Sequence, residues 1–172
     1  MQKLLFLCLL PSIFLCADWP QYHGPLLDKS TEAPLLNQID SLGEKPLWTT
    51  PTPLGFSSCS TSQNQAFTLI AEEDEDGLLR EVCIALDLRT GRRLWQTQLG
   101  RASYGHSGGN AGTSDNSGGD GPRSTPSASK DRVFVYDSEM TLHSLSSKSG
   151  KVIWAVDIIN EHDGKNLSLI HI

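Results

Sequence analysis

The sequence predicts an all-β fold built from a repeated four-stranded unit. Three observations predict it. Short β-rich runs are separated by turn residues, with no convincing amphipathic helix between them. A glycine turn followed four residues later by a tryptophan occurs twice, as ALDLRTGRRLW (85–95) and SLSSKSGKVIW (144–154). The flanking runs repeat as well. Ser124-Thr125-Pro126-Ser127 lies 67 residues after Ser57-Ser58-Cys59-Ser60, and Phe134 lies 67 after Phe67.

Composition bounds the function. The chain has 172 residues, enough for one ordinary domain, with 38% apolar and 20% charged residues. That is a soluble balance, well short of the charge excess of disordered chains. The formal net charge is −6, and no run of the sequence forms a basic stripe. Nucleic acid is therefore disfavoured as a partner, because phosphate contacts need clustered Lys and Arg.

Residues 1–17 read as a secretory leader. Lys3 supplies the positive start, and Leu4–Leu15 is an apolar stretch, broken at Pro11 and Ser12, that is too short for a comfortable membrane span. Cleavage after Ala17 leaves Asp18 first, and the loss of Lys3 takes the formal charge from −6 to −7. A lipoprotein cysteine at Cys16 is the second reading, although Ile13-Phe14-Leu15 lacks the usual small residue before it, and an uncleaved anchor is the third. Each predicts export, to a periplasmic or extracellular place. Only the second and third bring the protein to a membrane.

Removal of the leader takes Cys8 and Cys16 and leaves Cys59 and Cys83. These fall on strands separated by an intervening one, about 9.5 Å apart and beyond the roughly 7 Å reach of a disulfide. Two separate buried thiols are expected.

The elements follow in order after an N-terminal segment, 18–44. Lys45–Thr50, with Trp48 and two threonines, reads as a strand. The first unit, 53–100, contains a small-residue strand at 57–61, a Gln63-Asn64 turn and an apolar strand from Ala66 to Ala71. Val82–Leu86 and Arg93–Thr97 complete it. A Gly/Ser-rich stretch, 101–122, leads to the second unit, 123–160. The turn glycines are only 59 residues apart, against 67 for the phenylalanines, so the first copy carries an extra hairpin around Glu72–Gly77. A four-strand unit of this length suits a propeller blade.

Turn chemistry explains the repeated spacing. Gly91 and Gly150 supply the positive φ that a short hairpin needs, and Asp87 with Thr90 can hold the turn by local hydrogen bonds. Each tryptophan then lies on the outer strand, where its ring can cover a neighbouring sheet. A buried indole covers roughly 150–250 Å², worth about 4–6 kcal/mol as an upper bound.

The pattern small-x-Asp-x-x-x-Gly-Lys/Arg-x-x-Trp resembles the repeat signature of the propellers named after pyrroloquinoline quinone. Ala85, Asp87, Gly91, Arg92 and Trp95 match it in full. In the second copy Ser144, Gly150, Lys151 and Trp154 match, and Ser146 stands in place of the aspartate. Trp19–Pro25 is similar to the N-terminal motif of secreted bacterial members, and Gly121–Pro126 to the stretch that opens their second blade. The resemblance covers residues 18 to about 165. It implies a β-propeller of four-stranded antiparallel blades, about seven or eight in the ring, of which about two are present. Residues 45–52 would then be the ring-closing strand and 161–166 the start of the next blade or a linker. The chain thus reads as the N-terminal fragment of a longer protein. Leu167–Ile172 matches a translated sequencing adapter, so 167–172 reads as a non-native tail.

No catalytic, cofactor-binding or metal-ligating residue can be named. The glycines of 105–121 lack the strand–glycine–helix setting of a phosphate cradle, and the acidic 72–76 run lacks the alternation of a calcium loop and reads as a solvated hairpin tip. Histidines 23, 106, 143 and 162 have no ligand spacing, and Ser58, Ser60 and Ser107 have no nucleophile elbow. The residues singled out, Ala85, Asp87, Gly91, Trp95, Gly150 and Trp154, are structural, a motif that docks one blade on the next. The favoured function is a non-catalytic scaffold or binding module for other exported or envelope proteins, with no cofactor. The alternative is a quinoprotein dehydrogenase that oxidises alcohols or sugars with pyrroloquinoline quinone and calcium. Its aspartate base, calcium carboxylates and adjacent cysteines are not identifiable here.

Overall fold

The computed structural model describes residues 18–31, 45–53, 55–102 and 121–164. The leader, residues 32–44, most of the Gly/Ser-rich stretch and the 167–172 tail lie outside them. Two four-stranded antiparallel sheets carry the fold, each a simple meander. The first runs β1 (Ser60–Ser62), β2 (Gln65–Glu73), β3 (Leu79–Asp87) and β4 (Arg93–Arg101). The second runs β5 (Ser127–Ala128), β6 (Arg132–Tyr136), β7 (Thr141–Ser146) and β8 (Val152–Asp157). The sequence predicted all-β blades of this kind, and the structure has them.

Local chemistry sets the register. Gln63 and Asn64 both take positive φ, 50° and 61°, which is the two-residue turn that matches strand twist and pairs Ser62 with Gln65. Phe67 faces Ala85 and Phe134 faces Ser144 across equivalent ladders. Strands β2 and β3 are buried on both faces, which is why they read as continuous apolar runs rather than alternating ones. One face, with Phe67, Leu69, Cys83 and Ala85, packs against Val133, Val135 and Leu145 of the second sheet. The other, with Ala66, Ile70, Val82, Ile84 and Leu86, is covered by Trp48 and Leu88.

Four expectations need correction. Residues 45–53 form no strand among the described residues, because nothing there offers them a ladder, yet Trp48 still reaches the first sheet through its side chain. Cys59 is exposed, since it precedes β1, whereas Cys83 is fully buried, and both are free thiols. The eight additional residues of the first copy lengthen the β2–β3 hairpin instead of adding another. Their tip is a turn in which the Asp74 carboxylate accepts from the backbone N–H of Asp76 and Leu78 and from Arg80 Nε. Finally, β8 stops at Asp157 and a short helix, α1 (Ile158–His162), follows, although the sequence showed no convincing helix. Asp157 caps it by accepting from Asn160 N at 2.9 Å.

The two thiols make a direct test. Burial holds the Cys83 thiol well above its ordinary value, so its thiolate is scarce as well as shielded. A thiol reagent should modify Cys59 rapidly and Cys83 only on opening of the sheets, as read by peptide mass mapping. Equal rates would contradict the packing.

Candidate functional site

The repeated residues meet at the joint between sheets. Gly150, at φ 72°, turns the chain between β7 and β8 and brings its backbone under the Trp95 ring. A Cβ on Gly150 would lie 2.5 Å from both Trp95 Cε3 and Thr97 Oγ1, so only glycine fits this approach. Trp95 Nε1 donates to the Ser147 carbonyl at 2.8 Å, and Thr97 Oγ1 donates to the Gly150 carbonyl at 2.7 Å. The indole also tilts against Phe67, with centroids 5.8 Å apart. One outer strand thus grips the next sheet's turn by one ring and two hydrogen bonds.

The same joint recurs one unit earlier. Trp48 Nε1 donates to the Leu88 carbonyl at 2.9 Å and Thr50 Oγ1 to the Gly91 carbonyl at 2.6 Å. A Cβ on Gly91 would run into the Trp48 ring. Residues 45–53 therefore occupy the place of an outer strand relative to the first sheet, as Trp95 does relative to the second. The third tryptophan is left open. Trp154 keeps its tilted contact with Phe134, at 6.0 Å, yet is 38% exposed beside exposed Val152 and Ile153. An open groove of about 480 Å³ lies on this outer face, lined by Phe134, Tyr136, Leu142, Tyr22 and Leu27.

Asp87 holds its turn by accepting from the backbone N–H of Arg89 and Thr90, at 3.1 and 2.9 Å, and from the Thr90 hydroxyl at 2.8 Å. The Thr90 hydroxyl is the main reason that its carboxyl sits below the ordinary value of 3.8. Ala85 lies opposite Trp95 in the ladder and is fully buried. The second turn has serine at the aspartate position, and Ser149 and Gly150 N–H bond only to the Ser146 carbonyl, at 3.3 and 2.8 Å. Ser146→Asp is therefore expected to stabilise the protein by about 1 kcal/mol. An aspartate with a depressed folded value contributes above its unfolded value and loses the contribution as pH falls through the folded one. The gain should accordingly be present at neutral pH and fade below about pH 4, measured by urea unfolding.

A second contact, at the other end of the joint, was not legible. The β6–β7 turn carries Asp137, Ser138 and Glu139 into the first sheet. Ser138 N donates to Glu81 at 2.9 Å, Ser138 Oγ to the Arg101 carbonyl at 2.7 Å, and Arg101 N to Glu139 at 3.0 Å. Buried Asp137 accepts from Gly100 N at 3.3 Å and from His143 Nε2 at 2.8 Å. His143 is thus a strand histidine engaged in the joint. The Asp137 turn has a counterpart in the Asp74 turn, whose carboxylate likewise accepts from the N–H two and four residues on, but the contacts to Glu81 and Arg101 cross between units once, so the repeat gave no signal for them. Among the described residues, no three His, Cys, Asp or Glu are grouped so as to hold a metal ion.

The family model described as outer membrane protein assembly factor BamB matches residues 79–166, half of the chain. Among solved structures, the crystal structure of BamB from Moraxella catarrhalis is 19% identical with a TM-score of 0.31, over 61% of this chain and 33% of that one. This chain therefore spans about a third of that structure's length. No curated protein matches.

Proposed function

Because the chain belongs to the family described as outer membrane protein assembly factor BamB, we propose that it is an exported, non-catalytic PQQ-like repeat scaffold whose blades present a surface to other envelope proteins. The observation that carries this reading is where the repeated polar groups point. The Trp48 and Trp95 N–H and the Thr50 and Thr97 hydroxyls all donate to turn carbonyls of the neighbouring unit, and none is left for a ligand. The motif residues Ala85, Asp87, Gly91, Trp95, Gly150 and Trp154 accordingly act as blade-docking groups.

The family description names an assembly factor of the outer membrane, which supports envelope proteins as the partners. Export follows from the leader reading, and N-terminal sequencing of the exported form should begin at Asp18. The described residues do not supply a calcium site, so no step through calcium or pyrroloquinoline quinone follows from them. Full-length protein supplied with both should show no dye-linked oxidation of alcohols or sugars. Turnover that depends on the added quinone would overturn the scaffold reading.

A further inference from the structure

Folding sorts the charges of this acidic chain to opposite ends of its sheets. In each meander the first and third turns lie at one end and the middle turn at the other. The first end collects exposed Arg89 and Arg92 from the β3–β4 turn, Lys130 from the β5–β6 turn, and Lys148 and Lys151 from the β7–β8 turn. These residues are scattered in sequence, so no basic stripe is visible there.

Among the described residues, three carboxylates stand at this end against the five cations, so it stays net positive. Asp87 is taken up by its own turn, Asp18 accepts from Gln63 N at 3.1 Å, and Asp131 lies 3.9 Å from Arg132. The opposite end carries Asp74, Glu75 and Asp76 on the long hairpin, Glu139 on the β6–β7 turn, and Glu161 and Asp163 around α1. Arg80 faces this end, paired with Asp74, and Arg93 extends to Glu72.

The chain also enters at the cationic end. Asp18 is bound at the β1–β2 turn through Gln63 and Ser62, and Trp19 N and O both bond to Thr61. We propose that the turn face bearing Arg89, Arg92, Lys130, Lys148 and Lys151 rests on an anionic lipid surface, with the acidic hairpin end turned away from it. A net-negative molecule can bind such a surface only in that orientation, because the opposite end is repelled.

The test is co-sedimentation of the exported form, from Asp18 onward, with vesicles of phosphatidylcholine alone and of phosphatidylcholine with phosphatidylglycerol. The neutral vesicles measure whatever binding does not depend on lipid charge. Binding to the anionic vesicles should be stronger and should weaken as salt is raised. Lys148→Gln should lower it about fivefold, the effect of one cation near a charged membrane. Arg101→Gln, the same charge change at the far end, should leave it unaltered. Equal binding to both vesicle types, or equal losses in the two variants, would overturn the proposal.

Discussion

Replacing Gly150 with alanine should destabilise the protein by about 4 kcal/mol in urea unfolding. Two costs combine. An L-residue is strained at φ 72°, and the new methyl would lie 2.5 Å from the Trp95 ring and from Thr97 Oγ1. Gly77→Ala separates them, because Gly77 has a similar φ of 74° but nothing within 4 Å of its would-be Cβ. That control should cost only about 1 kcal/mol, the conformational part. Equal losses at the two glycines would mean that the Trp95 contact contributes nothing.

Trp95→Ala should cost about 3 kcal/mol, while Trp154→Ala, at the equivalent place in the next copy, should cost less than about 1 kcal/mol in this chain. The difference comes from what lies opposite each ring. Trp95 donates to Ser147 and packs on the inter-sheet core, whereas Trp154 is 38% exposed. In a longer protein with a further blade against β8, the Trp154 loss should rise to the Trp95 value. If it stays small there, the third tryptophan does not dock a blade.

Much of the fold was legible because a repeat states its chemistry twice. The glycine, the tryptophan and the Asp87 turn could be read from spacing, since a positive φ and a ring four residues later leave few alternatives. Thr50 and Thr97 were in plain view as Trp-x-Thr, but their hydrogen bonds run to carbonyls 41 and 53 residues away, which spacing does not encode. The Glu81, Asp137 and Glu139 contacts were hidden for a different reason. They join a strand of one unit to a turn of the next, and a single occurrence has no periodicity. Lys45–Thr50 resembled a strand because its side chains suit one. Whether it becomes a strand depends on a ladder partner outside its own sequence. Cys59 was misplaced by the same boundary uncertainty at a strand start.

Trp95 holds the two sheets together, and the reactivity of Cys83 reads this out. Cys83 is fully buried in the cluster between the sheets, so a reagent reaches it only when they part. In Trp95→Ala, under native conditions and with the β-sheet circular dichroism retained, Cys83 labelling should accelerate about a hundredfold, as a loss of about 3 kcal/mol requires. An unchanged Cys83 rate in that variant would mean that Trp95 does not hold the sheets together.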